Sequence, residues 1–247
     1  YVYYELDNFY QNHRRYVKSR SETQLNGGDT EDDFCEPQLY EKADDDNNNN
    51  NNNTTTSAAS SGRKINPCGL IAWSYFNDTY SFDLDGSPLD VSEKGIAWKS
   101  DVEHKFGSYA PENFNDDPAT RGGGIIGAPT VKEDEHFIVW MRTAALSNFR
   151  KLWGVIKTDI PAGSTITVRV NNRYNTYKFD GGKHVVLSTT SWLGGKNDFL
   201  GVAYLVIGAV CVVFALVFTA FAFYPPRRHG DVNDLSWNVD VAAAAAK

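Results

Sequence analysis

The sequence predicts a mainly β ectodomain of antiparallel sheets with few short helices, followed by a C-terminal transmembrane α-helix. Three observations carry this prediction. Ser164 to Val170, STITVRV, alternates strictly, with Ile166, Val168 and Val170 on one face and Thr165, Thr167 and Arg169 on the other. Glycine- and proline-centred turn signals separate short apolar runs through most of the first 198 positions. From Phe199 to Tyr224 the chain carries no charged residue, and at about 1.5 Å per residue such a helix reaches about 39 Å, more than a hydrocarbon core of about 30 Å.

Taken from the N-terminus, the region Asp7 to Arg20 reads as helical and contains FYQNHRRY, three aromatics, two arginines and a histidine within eight positions. Asp44 to Gly62, DDDNNNNNNNTTTSAASSG, offers nothing apolar to bury beyond two alanines and is expected to be a disordered insertion. Arg121-Gly122-Gly123-Gly124 marks an irregular connection. Phe137 to Met141, FIVWM, is a strand candidate, and Ala144 to Leu152 reads as helical. After the alternating strand, Asn171-Asn172 is expected to turn the chain so that Tyr174 to Phe179 returns as a hairpin partner. His184 to Thr190 is a further strand, with turns at Pro161-Ala162-Gly163 and Asp180-Gly181-Gly182. These readings divide the chain into an ectodomain over 1–198, a membrane helix over 199–224 and a tail over 225–247.

Charge and motif content narrow the function. The 247 residues carry a formal net charge of −7, and the only dense basic stretch, Arg14, Arg15, Lys18 and Arg20, is offset by Glu31, Asp32, Asp33 and Asp44 to Asp46. A nucleic-acid surface needs a positive field, which this chain lacks. Glu133-Asp134-Glu135-His136 is not a zinc-binding H-E-x-x-H, no G-x-S-x-G elbow is present, and Gly122-Gly123-Gly124 lacks the lysine and hydroxyl of a phosphate loop. The five histidines share no ligand spacing, so no metal, cofactor or enzymatic activity is expected.

Arg227 and Arg228 directly follow the apolar run, which places the C-terminus in the cytosol and the residues before Phe199 on the lumenal or extracellular side. Sequons at Asn77-Asp78-Thr79, Asn52-Asn53-Thr54 and Asn53-Thr54-Thr55 suit that side. So do Cys35 and Cys68, the only cysteines outside the span and a candidate disulfide, for which the loop-entropy model gives about 3 to 4 kcal/mol. Cys211 lies inside the span as a small packing residue. A chain so oriented needs a signal peptide or an earlier membrane helix, yet it opens Tyr1-Val2-Tyr3-Tyr4, so a first transmembrane helix is expected before residue 1. Within the span, Gly201, Gly208, Ala215 and Ala222 recur every seven residues. They drift only about 20° per step and form a small-residue face on which another helix can dock.

Read together, FYQNHRRYVKSRS, then Asn66-Pro67-Cys68-Gly69-Leu70-Ile71-Ala72 with Phe76-Asn77-Asp78-Thr79, then Phe137 to Ala145 (FIVWMRTAA), then Leu187 to Asn197 (LSTTSWLGGKN), closely resemble the cell cycle control protein 50 / ligand-effect modulator 3 family. The resemblance runs from Tyr1 to the end of the membrane helix. It implies a two-span glycoprotein with both termini cytosolic and a disulfide-linked β ectodomain. It also implies a non-catalytic β subunit and chaperone of a type IV P-type ATPase. Such a subunit accompanies the pump out of the endoplasmic reticulum to Golgi, endosome or plasma membrane and supports phospholipid transfer to the cytosolic leaflet. By position, Asn77 resembles the family's glycan acceptor and Cys35 with Cys68 its later disulfide. The family's earlier cysteines precede the residues here, and the asparagine tract is not part of its pattern. Tyr10, His13, Arg14 and Arg15, at helical spacing, are read as a scaffold and docking motif, with a lipid headgroup site as the other use of paired arginines. A single-span adhesion or receptor ectodomain with no pump partner is the alternative from another class.

Overall fold

The computed structural model describes residues 1–28, 33–41, 62–118, 121–191, 194–195 and 198–224. The acidic residues Glu31, Asp32 and Asp44 to Asp46, the asparagine-rich tract as far as Ser61 with its Asn52 and Asn53 sequons, Trp192, Leu193, Lys196, Asn197, and the tail with Arg227 and Arg228 lie outside them. The chain divides into two compact units, Tyr1–Thr190 and Ser191 onward.

In chain order the first unit contains β1 (Val2–Leu6), α1 (Arg14–Lys18), α2 (Glu22–Leu25), α3 (Leu70–Trp73), β2 (Thr79–Leu84), β3 (Ser87–Leu89), β4 (Val91–Ser92), α4 (Lys99–His104), α5 (Glu135–Met141), β5 (Phe149–Ile156), β6 (Ile166–Asn171) and β7 (Lys183–Leu187). One sheet runs β4-β5-β1-β7 and another β3-β2-β6, with antiparallel pairing throughout both. The second unit holds α6 (Asp198–Phe223), in which Phe199–Phe223 is long and apolar enough to cross a membrane.

Strand β1 shows why the first sheet forms. Val2, Tyr4 and Leu6 are buried while Tyr3 and Glu5 are half-buried, so one face enters the core and both edges are free to ladder. Tyr4 lies opposite Lys151 on one side and Val185 on the other. In the second sheet, Asp85 and Gly86 form the two-residue turn of the β2–β3 hairpin, both at positive φ (49° and 85°), as a mirror-image turn requires.

Helix α5 is the centre of the core. Phe137, Ile138, Trp140 and Met141 are all buried, and Trp140 lies among Phe9, Phe76, Phe149 and Tyr174 with ring centroids 5.8 to 6.5 Å away. The strand expected over Phe137–Met141 is therefore a helix. A short run that is apolar on all sides has no diagnostic period, and the groups at its ends decide its form. Asp134 Oδ1 accepts from Phe137 N at 2.9 Å and from Tyr75 Oη at 3.0 Å. Buried Lys151 donates from Nζ to the carbonyls of Val139 (3.2 Å), Trp140 (2.6 Å) and Arg142 (2.7 Å). Burial, and after it the charge of Arg142, pushes the Lys151 pKa well below the lysine range.

Three further expectations are corrected. Ala144 to Leu152 is not helical: Phe149–Ile156 is strand β5, because Phe149, Lys151 and Trp153 alternate inward along β1. Tyr174 to Phe179 does not return along β6, which pairs instead with β2 (Phe82 opposite Val168), and Tyr177–Phe179 forms a single 3₁₀ turn. The cause is Asp78. Its buried carboxylate accepts from the backbone N–H of Arg173 (2.7 Å) and Tyr174 (2.6 Å) and from Lys183 Nζ (2.5 Å), removing the donors a hairpin needs. Of Asp7 to Arg20, only Arg14–Lys18 is helical. In β6 the predicted alternation holds for Ile166 and Val168, which pack on the core, while Val170 is half exposed.

Glu135, at the start of α5, organises the loop before α4 by accepting from the backbone N–H of Gly95 (3.0 Å), Ile96 (2.8 Å) and Ala97 (3.0 Å). Desolvation alone would raise its pKa, but these three donors and Lys94 outweigh it and hold the carboxyl below the ordinary value of 4.5. A lowered carboxyl pKa adds stability above the unfolded-state value, lost as pH falls through the folded-state value. Glu135→Gln is therefore expected to lower Tm at pH 7, with the gap to wild type closing on acidification below pH 4.5, as a pH series of thermal melts would record. Lys151→Met leaves three carbonyls at the end of α5 without a donor. It is expected to cost about 3 kcal/mol in chemical denaturation of the detergent-solubilised protein.

Candidate partner-docking surface and the motifs that build it

FYQNHRRY splits into a buried and an exposed half. Phe9 packs edge-on against Tyr16 (5.7 Å between centroids) and Phe179 (5.0 Å). Gln11 is fully buried, and its Oε1 accepts from Ala144 N at 2.9 Å. Tyr16 Oη lies 2.8 Å from Ser74 Oγ; burial pushes its pKa up, only partly offset by the hydrogen bonds to Ser74 and Gln11. Tyr10, His13, Arg14 and Arg15 all face outward, Tyr10 at 58% exposure. They do not share one helical repeat: Tyr10 precedes the helix, His13 caps it by accepting from Arg15 N at its Nδ1 (3.3 Å), and only Arg14 and Arg15 lie in α1.

The Asn66–Ala72 and Phe137–Ala145 motifs are tied to the segment that carries this surface. Ser19 Oγ donates to Glu36 O and accepts from Leu70 N, both at 2.8 Å. Gln24 accepts from Cys68 N (2.7 Å) and donates to Ile65 O (3.1 Å). Gly69 sits at φ +102°, and a Cβ there would fall 2.1 Å from Ser19 O, so only glycine permits this approach. A disulfide joins Cys35 to Cys68 with Cα atoms 5.5 Å apart. FIVWMRTAA closes the assembly: Trp140 Nε1 donates to Ile71 O (2.7 Å), Arg20 Nη1 to Met141 O (3.3 Å), and Asn12 Nδ2 to Ala145 O (2.9 Å). Next to α1, Arg15, Lys18, Phe34, Pro37 and Leu70 line a groove of about 690 Å³, with Phe34 62% exposed.

Asn77 is half-buried between Phe76 and Asp78. Gly201, Gly208, Ala215 and Ala222 lie on α6, all exposed, and a Cβ at either glycine would meet nothing within 4 Å. Among the described residues no cluster of three His, Cys, Asp or Glu could hold a metal ion. Sequence reasoning passed over Gln11, Ser19 and Gln24, because a polar residue that stitches two buried segments has no period or motif to reveal it. It also passed over Trp98, which is exposed and covered by the Arg142 guanidinium 3.5 Å from its ring centroid.

Comparison with known proteins assigns this arrangement to a lineage. The family model of the LEM3 (ligand-effect modulator 3) family / CDC50 family matches residues 1–228. Similar proteins include ALA-interacting subunit 3 of Arabidopsis thaliana, 52% identical over 241 residues that cover 96% of this chain and 64% of the relative. Cell cycle control protein 50A of Mus musculus is 38% identical over 247 residues, 88% of this chain and 62% of the relative. Phospholipid-transporting ATPase accessory subunit LEM3 of Saccharomyces cerevisiae is 33% identical over 259 residues, 97% and 58% respectively. The chain thus spans somewhat less than two thirds of the length of these relatives. The match over residues 1–228 means that the chain belongs to the LEM3/CDC50 family.

Proposed function

We propose that this chain is the larger part of a non-catalytic accessory subunit that forms a heterodimer with a type IV P-type ATPase, supports that pump's exit from the endoplasmic reticulum, and is needed for phospholipid transfer from the exoplasmic to the cytosolic leaflet. The observation that carries this reading is the kinship, over 96% and 97% of this chain, with proteins named ALA-interacting subunit and phospholipid-transporting ATPase accessory subunit. The partner performs the chemistry, and no cofactor is required of this chain beyond an N-linked glycan at Asn77.

In this reading residues 1–198 lie on the lumenal or extracellular side, 199–224 span the bilayer, and 225–247 form a cytosolic tail whose Arg227 and Arg228 follow the positive-inside rule. The disulfide between Cys35 and Cys68 suits that oxidising side. Tyr10, His13, Arg14 and Arg15 are a docking surface. Their neighbours Phe9, Gln11 and Tyr16 fix the backbone, so the exposed four are presented in a set arrangement without a folding cost at the moment of binding. The small-residue face of α6 receives another membrane helix, where close backbone approach replaces the hydrophobic driving force that lipid cannot supply.

The test is co-expression of the full-length parent with candidate type IV ATPases, followed by detergent purification and lipid-stimulated ATP hydrolysis with and without the subunit. Co-purification with subunit-dependent turnover is expected; if no ATPase is retained, the reading fails. Arg14→Ala with Arg15→Ala removes only exposed side chains, so Tm is expected to stay near wild type while pump retention falls by about tenfold, equivalent to about 1.4 kcal/mol. Normal retention with altered lipid preference would instead make the pair a headgroup site. Gly208→Leu is expected to reduce pump retention with the ectodomain melt unchanged, as pull-down and thermal melting measure together.

A further inference from the structure

The Arg121-Gly122-Gly123-Gly124 segment is fixed against the chain that leads into β2. Gly124 N donates to Tyr75 O (2.7 Å), and buried Asn115 donates from Nδ2 to Gly124 O (2.8 Å). A Cβ at Gly123 would lie 2.4 Å from Tyr75 O, so only glycine lets the two backbones come this close. Arg121, held by this clamp, is exposed on the lining of a cavity of about 400 Å³. Arg173, also exposed, lines the same cavity from the segment after β6. Its backbone N–H donates to Asp78 Oδ1 (2.7 Å). Asn171, with its carboxamide oxygen turned toward the guanidinium, accepts from Arg173 Nε and Nη2 at 3.1 Å each. That neutral partner orients the guanidinium without discharging it.

The carboxylates of the lining are already answered. Asp78 is paired with Lys183 Nζ at 2.5 Å, and Glu93 with His136 Nε2 at 2.9 Å. Neither Arg121 nor Arg173 has an ion-pair partner among the described residues. Two unanswered guanidiniums on one concave surface, in a chain of net charge −7, select an anion. A carboxylate has two coplanar oxygens, which a single arginine fork satisfies. A phosphate spreads its oxygens over a tetrahedron and accepts forks arriving from two different segments. The volume lies within the roughly 300 to 1,000 Å³ of small-ligand sites.

We propose that this cavity binds a phosphate group, held between the Arg121 and Arg173 guanidiniums, with the hydroxyl of exposed Thr79 as a further donor. The group comes from free phosphate or from a lipid headgroup; the tetrahedral oxyanion is what the two share. The site draws on the first unit alone and holds whichever partner the chain has. A ligand bound by the folded state alone stabilises that state.

The experiment uses the full-length parent in maltoside micelles, made with high-mannose glycans and trimmed with endoglycosidase H because Asn77 also lines the cavity. Inorganic phosphate probes the free source; phosphatidylcholine or phosphatidylserine added to the micelles probes the lipid source. Thermal melting at constant ionic strength follows each, with acetate as the carboxylate control. Near saturation a phosphate-bearing probe is expected to raise Tm by several degrees, and acetate to leave it unchanged. Arg121→Ala with Arg173→Ala, both at exposed positions, should keep the ligand-free Tm and weaken binding by about tenfold or more in isothermal titration. Arg121→Lys with Arg173→Lys, which keeps the charge and loses the forks, should recover little of that loss. Lys157→Ala with Lys178→Ala, an equal loss of charge at other exposed positions, should bind as wild type does. A response to inorganic phosphate assigns the free source, and a response to lipid alone assigns the headgroup. An equal response of wild type and the arginine-to-alanine pair reports exclusion of phosphate from the protein surface and overturns the proposal. An equal response to acetate, equal weakening by the Lys157 and Lys178 pair, or no response to any probe also overturns it. Lost ATPase retention in the arginine pair without a phosphate response overturns it in favour of an acidic segment of the partner, while ATPase retention by the wild type judges the accessory-subunit reading separately.

Discussion

A seven-residue helix buried on almost every side cannot satisfy its own ends, and that constraint on α5 organises much of the first unit. Asp134 answers the N-terminal N–H of Phe137 and simultaneously holds the Tyr75 hydroxyl; Lys151, reaching from β5, answers three carbonyls at the other end. The strand carrying Lys151 must therefore sit where its ammonium meets the helix terminus, and β1 pairs beside that strand. Without these partners the apolar sequence FIVWM would have no reason to prefer a helix to a strand.

The same economy of polar groups joins the family motifs. Ser19 and Gln24 satisfy backbone groups of the 65–70 segment, Gln11 satisfies Ala144, and the Trp140 indole satisfies Ile71. Each bond joins positions far apart in sequence, and each removes a buried polar group that would otherwise cost about 1 to 3 kcal/mol. Of the exposed members of FYQNHRRY, Asn12 and His13 still make structural hydrogen bonds, to Ala145 O and from Arg15 N, whereas Tyr10, Arg14 and Arg15 face outward. Buried positions of the motif specify the scaffold, and exposed ones are available for a partner.

What was legible in the sequence was whatever a local pattern encodes. The apolar run of α6 and the alternation of β6 are properties of contiguous residues, and both were readable. Segments whose form is set from a distance were misread. Phe149 to Ile156 contains residues that suit a helix, but its inward-facing Phe149, Lys151 and Trp153 are committed to the sheet. Tyr174 lost its hairpin to the Asp78 carboxylate, nearly a hundred positions earlier. The Asp85–Gly86 turn is a local signal that periodicity passes over. As for the candidate surface, aromatic and basic character marked Tyr10, His13, Arg14 and Arg15, whereas nothing local separated them from the buried Gln11 and the half-buried Phe9 and Tyr16.

Strand β1 occupies an interior place in its sheet, between β5 and β7, yet it precedes both in the chain by a long interval. Its Glu5 meets Arg150 across 145 positions, and the Tyr1 amino group reaches Ser188 across 187. In N- to C-terminal synthesis this strand is made before both of its neighbours, and its two edges stay unladdered until β5 and β7 have followed. Such contact order slows closure of the sheet and lengthens the time during which open β edges can mispair. Completing the sheet therefore waits on β7, among the last strands of the unit to be made.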